Sequence, residues 1–388
     1  MNIAFITHNY PLNKEERSNA GIFVADIAIN LVKNGHSIIV FVLNADVTKK
    51  EVKCDGKLIE YFMGRGSFKK SLGEIKFYNF IDILKIITLF NLNAKSIEQI
   101  LMENAVDFCL AFWAIPSGII AYQISKKINV PYGIWALGSD IYIYAKYPII
   151  GNIINKAIRA ADLLLADGKN LAETVSNISK KKCVFMPSTT EFSASKMKVI
   201  KMNKQDMNFI FLGRMEKIKG PDILLSSISK LPKDKNYHIY FLGGGRLLDT
   251  LRKKVVQYGL ERRVSFLGNV NDKNIVWSYL SNGDYLVIPS RSDSIPLVLA
   301  EGAKAGIPVI VSSVGDMPFL VKKYGIGHIF PSGDIQKLSD IVKMVIKKGK
   351  GQGELFKSNL KVFSEEFDIN KIGHTLEDKL RNAIGGKE

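Results

Sequence analysis

The sequence predicts an α/β protein built from two doubly wound domains in tandem, and three observations carry that prediction. The chain has 388 residues, too many for one typical domain and enough to bury two cores. Short apolar runs rich in β-formers alternate with amphipathic helical stretches, as βα units require. The alternation stops in a polar, unpatterned stretch around 187–206 and then begins again. The expected division is a Rossmann-like N-terminal domain over 1–190, a linker over 191–206, a Rossmann-like C-terminal domain over 207–370, and a polar helix over 371–388 packing back on the first domain.

Taken in order, the first domain opens with MNIAFITHNYP, which reads as a buried strand over 2–7. Its apolar run is too short, and lacks the basic leader, for a signal peptide. VADIAINLVKNG (24–35) follows with helical spacing, and further strands are expected at 37–43, 107–113, 132–136, 162–166 and 182–186. The uncharged segment 108–125 (FCLAFWAIPSGIIAYQIS) approaches the length of a membrane span. Pro116, Ser117 and Gly118 break it in the middle, so it is expected to be a strand to about Trp113, a loop and a helix. In the second domain strands are expected at 208–213, 237–242, 264–268, 284–289, 308–312 and 327–330.

Composition narrows the partners. Hydrophobic residues make up 47% and charged residues 23%, an ordinary globular balance. Cys54, Cys109 and Cys183 lie far apart without metal-binding spacing, which points to a reducing, cytoplasmic compartment and to neither a zinc site nor a disulfide framework. Lys and Arg number 54 against 37 acids, a net charge of +17 that calls for an anionic partner. The charges are spread along the chain, with no zinc-finger or RNA-binding signature, so nucleic acid is not the expected one. The histidines His8, His36, His238, His328 and His374 are scattered, and no metal site is expected.

The chemistry concentrates at strand ends of the second domain. Glycines stand there at Gly213, Gly243 to Gly245 and Gly268, where a backbone turns sharply or approaches a ligand. Gly243-x-Gly245 lacks the third glycine of a dinucleotide fingerprint, since position 248 is Leu, which weakens a dehydrogenase reading. FLGRMEKIKGPDILL (211–225) sets Arg214 and Lys219 just beyond a strand, ahead of a helix, a combination suited to a diphosphate. RSDSIPLVLAEG (291–302) follows another strand and carries Asp293 before a helix, with Pro296 suited to that helix's first position and Glu301 inside it. The bland alternative is an Asp serving the helix dipole and a Glu on a solvated face.

With these motifs the chain resembles the retaining, nucleotide-sugar-dependent glycosyltransferases of the GT-B fold, the glycogen-synthase-like (family 4 type) group, over nearly its whole length. Gly213, Arg214, Lys219 and Gly220 are similar to that family's G-R-x(n)-K-G element, and Asp293 with Glu301 to its E-x7-E element. AEGAKAGIPVIVSSVGDMP (300–318) and SNAGIFV (18–24) look like the family too. The resemblance implies two Rossmann-like domains facing a cleft, an acceptor-side first domain and a donor-binding second one. It implies that Arg214 and Lys219 hold the diphosphate, that Asp293 faces the transferred sugar, and that Glu301 holds the ribose hydroxyls. Ala20 and Gly21 would lie near the diphosphate. Gly213, Gly244, Gly268, Asn269 and the loop positions Ser294, Ile295 and Leu297 would complete the donor site, with Ile295 and Leu297 as amide donors because Pro296 has no N–H. Carboxylates accept from sugar hydroxyls while cations and amides hold phosphates, so both charge types belong in one site.

Two departures stand out. Asp293 replaces the usual first Glu, and in WALGSDIY (135–142) Leu137 stands where the family has the histidine of H-G-x-D. Asp140 is kept, either beside the sugar in a catalytic role or as a turn-capping residue. The implied activity is a retaining glycosyltransferase of the EC 2.4 class, with Arg214, Lys219, Asp293 and Asp140 as its catalytic set, a UDP- or GDP-sugar as co-substrate, and neither metal nor cofactor. The alternatives are an inactive nucleotide-sugar-binding protein or a sugar-nucleotide epimerase of the same fold. Relatives of this architecture often build surface glycans on lipid carriers, so a lipid-linked or glycan acceptor is expected. Residues 65–90 combine Arg65, Lys69, Lys70, Lys76 and Lys85 with apolar residues at helical spacing, either an ordinary domain helix or a face for the anionic inner surface of the cell membrane.

Overall fold

The computed structural model describes residues 1–11, 21–45, 51–64, 93–192, 197–232 and 235–386. Ala20 and the basic, apolar stretch 65–90 lie outside the described residues. The described residues divide into two compact units: those up to Pro187 together with the segment from Ile369 onward, and those of Ser188–Asp368.

In the first unit the strands β1 (Asn2–Thr7), β2 (Ser37–Ala45), β3 (Glu51–Asp55), β4 (Leu58–Gly64), β5 (Phe108–Phe112), β6 (Tyr132–Ala136), β7 (Leu163–Ala166) and β8 (Val184–Phe185) form one sheet. Its order is β3-β4-β2-β1-β5-β6-β7-β8, parallel except for the antiparallel edge pair β3 and β4. Helices cover both faces, so the central strands read as continuous apolar runs; FCLAF and LLLA are buried at every position. The edge hairpin was not expected from the sequence. Its two-residue turn is Gly56-Lys57, between the paired Asp55 and Leu58, with Gly56 at φ 59° in the first turn position.

The covering helices include α1 (Ile22–Lys33), α2 (93–103), α3 (Ile119–Ile128), α4 (Ser139–Tyr142), α5 (Pro148–Ala160) and α6 (Lys169–Ser179). The uncharged segment 108–125 is β5, a turn through Trp113 to Gly118, and the start of α3. Among the described residues no helix is long and apolar enough to cross a membrane.

The second unit carries β9 (Met207–Leu212), β10 (Tyr237–Leu242), β11 (Val264–Gly268), β12 (Tyr285–Ile288), β13 (Val309–Ser312) and β14 (Gly327–Phe330) in the parallel order β11-β10-β9-β12-β13-β14. Each lies within a residue or two of its expected place, because each is an apolar run bounded by Gly, Pro, Asp or Asn. Around it pack α7 (Pro221–Ile228), α8 (Leu248–Tyr258), α9 (Lys273–Asn282), α10 (Leu297–Lys304), α11 (Met317–Tyr324), α12 (Ile335–Lys348) and α13 (Gln352–Glu366). Side-chain caps at Asp272 and Asp334 satisfy first-turn N–H groups of α9 and α12.

The last helix, α14 (Ile369–Gly385), belongs to the first unit. It lies against α1: Asn30 Nδ2 donates to Asn370 Oδ1 at 2.9 Å, and a Cβ on Gly373 would stand 1.9 Å from Asn30 Oδ1. His36 Nε2 lies 3.2 Å from Glu377 Oε1. At the start of the second unit Ser188, Thr189 and Thr190 are buried.

Candidate functional site

β9 and β12 are neighbours in the second sheet, with Tyr285 opposite Phe209 and Leu286 opposite Ile210, although two strands intervene between them in the chain. They flank the point where the strand order reverses, and in open parallel sheets ligands bind outside the carboxyl ends of the strands at that point. The loop after β9 carries Arg214 and Lys219; the loop after β12 carries Asp293. A single glycine brings them together. Gly220 has φ 70° and a Cβ there would stand 2.0 Å from the Pro289 carbonyl oxygen, so only glycine allows the first loop to rest on the end of β12.

The two loops are tied by charge. Lys219 Nζ lies 2.6 Å from Asp293 Oδ1, both side chains largely buried. Beside it Arg291 grips Asp222 with both terminal nitrogens, at 2.7 and 2.8 Å, and its Nη1 also donates to the Lys217 carbonyl. Lys217 Nζ reaches Asp222 Oδ2 at 2.6 Å, and Arg291 N–H donates to the Ile218 carbonyl. Burial by itself raises the Asp222 carboxyl, but hydrogen bonds from Arg291 and Lys217 and their charges outweigh it and hold the group below the ordinary carboxylate range. Arg291 and Asp222 were not singled out in the sequence. Both lie within the quoted motifs, opposite charges immediately beside the expected phosphate and sugar residues, and that was the available signal.

Asp293 Oδ1 is held by Lys219, while its Oδ2 is buried and accepts no hydrogen bond among the described residues. The N–H groups of Ser294, Ile295 and Leu297 likewise donate to no group among the described residues, and the Ser294 carbonyl accepts from Asp316 N–H at 3.1 Å. Pro296 stands one residue before α10 instead of opening it, with extended ψ of 137°. Glu301 lies inside α10 and is buried, with Thr190 Oγ1 3.4 Å from its Oε1. The solvated-face alternative for Glu301 therefore fails. Arg214 is exposed and forms no ion pair among the described residues.

The neighbouring strand ends close the same edge of the sheet. Gly213 N–H donates to the Leu242 carbonyl and Gly243 N–H to the Gly268 carbonyl, at 3.0 and 2.7 Å, so the turns after β9, β10 and β11 lie in sequence across the edge. The Gly244 carbonyl accepts from Met215 N–H, and Gly244 faces the Asn269 side chain closely enough that a Cβ would stand 2.7 Å from Oδ1.

In the first unit, Gly21 precedes α1 and a Cβ there would stand 2.0 Å from the Asn9 carbonyl oxygen, which sets the turn after β1 directly on the helix start. Asp140 is completely buried. Its Oδ2 accepts from Ala114 N–H at 2.7 Å, and its Oδ1 from the N–H groups of Leu137 and Ile141 at 3.3 and 3.2 Å. Burial raises its carboxyl above the ordinary range, and the backbone donors offset only part of that. This is the geometry of the turn-capping alternative: both oxygens brace the loops after β5 and β6. His8, treated in the sequence only as one of several scattered histidines, follows β1 and packs on Trp113 with ring centroids 4.5 Å apart.

Residues 193–359 match the family described as Glycosyl transferases group 1. Across 313 residues the chain is 22% identical to N-acetyl-alpha-D-glucosaminyl L-malate synthase of Bacillus anthracis, an alignment covering 76% of this chain and 80% of that protein. In structure it resembles sucrose-phosphate synthase from Thermosynechococcus elongatus, with a TM-score of 0.81, 16% identity and all of both chains covered. It also resembles Anabaena Alr3699/HepE, solved in complex with UDP-glucose, with a TM-score of 0.70, 16% identity, and 98% of this chain and 100% of that one covered. The fold is GT-B, two Rossmann-like domains in one chain.

Proposed function

Proceeding from a GT-B chain whose residues 193–359 carry a group 1 glycosyltransferase domain, we propose that the protein transfers a sugar, with retention, from a UDP- or GDP-sugar to a lipid-linked or glycan acceptor in surface-glycan synthesis. The observation that carries this reading is the Lys219–Asp293 pair at the switch point, with a second, buried carboxylate oxygen of Asp293 that accepts nothing among the described residues. An unsatisfied buried acceptor favours a ligand hydroxyl, and a sugar supplies several. Solved relatives of the same fold include one in complex with UDP-glucose, which supports a nucleotide-sugar donor.

In this reading Arg214, exposed and unpaired among the described residues, meets the diphosphate first, and Lys219 shares its charge between Asp293 and the phosphates. The unused N–H groups of Ser294, Ile295 and Leu297 add donors, and Glu301 holds the ribose hydroxyls. As the sugar bond breaks, Arg214 and Lys219 stabilise the departing diphosphate, which takes the acceptor's proton. Asp140 acts through the backbone it braces. No metal is assigned to the reaction, and the proposed place of work is the cytoplasmic face of the cell membrane.

A thermal-shift panel of UDP-, GDP- and ADP-sugars tests the donor site. A ligand at about a hundred times its dissociation constant stabilises the fold by roughly 2.7 kcal/mol. No shift with any of them would sink the proposal. Hydrolysis of the bound donor without acceptor separates an active enzyme from the inactive nucleotide-sugar-binding alternative, for which the Leu137 departure is the specific support.

A further inference from the structure

Arg291 stands two residues before Asp293 in the loop after β12, yet it reaches across the edge of the sheet to the segment that carries Lys219. Its backbone N–H donates to the Ile218 carbonyl at 2.7 Å, and its Nη1 to the Lys217 carbonyl at 2.6 Å. Both carbonyls belong to the single turn Lys217–Lys219, immediately ahead of the lysine proposed for the diphosphate. On the other side, Nη1 and Nη2 fork onto the two oxygens of Asp222 at 2.7 and 2.8 Å, in the first turn of α7 and three residues after Lys219. Arg291 therefore grips the chain before and after Lys219.

That grip bears on the ammonium because a lysine side chain is long and flexible, and a charge on an unfixed backbone must be ordered when a phosphate arrives. The tip of Lys219 answers to Asp293, 2.6 Å from Nζ, and its backbone answers to Arg291. A backbone ordered in advance removes part of the cost of binding. Arg291 itself is poorly suited to meet a phosphate. Its side chain is 32% exposed, and the Asp222 carboxylate, 16% exposed, balances its charge.

We propose that Arg291 and Asp222 are positioning residues for the donor diphosphate, an ion-paired fork that sets the Lys219 ammonium where the phosphates meet it without touching the ligand. This rests on the donor-site reading above, in which Lys219 is a phosphate contact. Lysine cannot replace Arg291, since an ammonium lacks the planar pair of N–H groups that spans a carboxylate. Positioning and simple electrostatics differ in sign at Asp222. Neutralising an anion beside a phosphate site strengthens phosphate binding by charge alone, whereas releasing the fork weakens it.

The test is a double-mutant cycle on the full chain, read by titration calorimetry with UDP and, in parallel, GDP. Arg291→Lys and Asp222→Asn should each weaken binding of the tighter nucleotide about fivefold or more in the wild-type background. In a Lys219→Ala background the same substitutions should change affinity by less than about twofold, because the group they position is gone. A substitution that merely destabilises the fold lowers affinity by the same factor in both backgrounds, so the cycle separates positioning from a structural role. Arg291→Ala runs through the same cycle, and Arg291→Lys, which keeps the charge and most of the volume, carries the test should the alanine variant fail to fold. Equal losses with and without Lys219, tighter binding by Asp222→Asn, or unchanged affinity in Arg291→Lys would each overturn the proposal. Lys219→Ala reads the donor site separately: a loss there with none in Arg291→Lys removes the fork's role and leaves the donor site. No binding of either nucleotide by wild type, or no loss in Lys219→Ala, removes both.

Discussion

Lys219 and Asp293, 74 residues apart in the chain, meet at 2.6 Å across the reversal point of the second sheet. The cation proposed for the diphosphate and the acid proposed for the sugar are thus one ion pair, each setting the other's position. A phosphate approaching Lys219 competes with Asp293 for it, which couples donor binding to the freeing of a carboxylate oxygen.

That coupling gives opposite expectations for the two partners. Lys219→Ala should weaken nucleoside diphosphate binding about 10- to 150-fold, the loss of a charged hydrogen bond of roughly 1.5–3 kcal/mol. Asp293→Asn should leave that affinity unchanged or tighter, because it releases Lys219, while lowering turnover about tenfold or more. Titration calorimetry with the free diphosphate beside steady-state turnover makes the comparison. Equal loss of diphosphate affinity in both variants would contradict the assignment.

Arg214→Ala and Glu301→Ala should each reduce kcat/KM by a comparable 10- to 150-fold, on the order of 1.5–3 kcal/mol apiece. They differ in thermal behaviour. Glu301 is buried and Arg214 exposed, so only the Glu301 variant should also lower the melting temperature without ligand. Activity within twofold of wild type in both would end the donor-site reading.

Asp222 supplies a pH signature. Its carboxyl is held below the ordinary range in the folded chain, so its stabilising effect is complete above the unfolded value of about 3.9 and is lost as pH falls through the folded value. The stability gap between wild type and Asp222→Asn, read from urea midpoints, should be constant from about pH 8 to pH 5 and shrink below about pH 4. A gap that widens on acidification would show that the Arg291 grip does not stabilise the charged form.

For Asp140 the expected cost is structural. Asp140→Ala strands the N–H groups of Ala114 and Leu137 in a buried site, while Ile141 N–H keeps the Gly138 carbonyl, and should destabilise the protein by at least about 2 kcal/mol. Asp140→Asn keeps one acceptor oxygen and should cost about half as much. If instead Asp140→Ala melts with wild type and has lost turnover, the carboxylate is a reacting group and not a brace.

Much of the fold was legible because parallel strands buried on both faces must be apolar throughout. The runs at 2–7, 132–136 and 237–242 therefore appear in the structure with the boundaries expected. The hairpin of β3 and β4 was missed although Gly56 opens its two-residue turn, because its alternating charged residues read as surface. Gly213, Arg214, Lys219, Asp293 and Glu301 were legible as residue types at strand ends, where the chemistry of a diphosphate and a sugar asks for them.

Which of those residues touch was not legible. Loop chemistry and the carboxyl ends of strands are local properties, readable from a dozen consecutive residues. Strand order is not local: β9 lies beside β12 and not only beside β10, and no short-range pattern states it. That adjacency alone joins Lys219 to Asp293 and Arg291 to Asp222. The sequence by itself determined two doubly wound domains and the chemical groups at their strand ends. Only the tertiary structure decided the pairing of those groups, because contacts between residues about 70 apart follow from the register of packed strands and from a close approach that Gly220 alone permits.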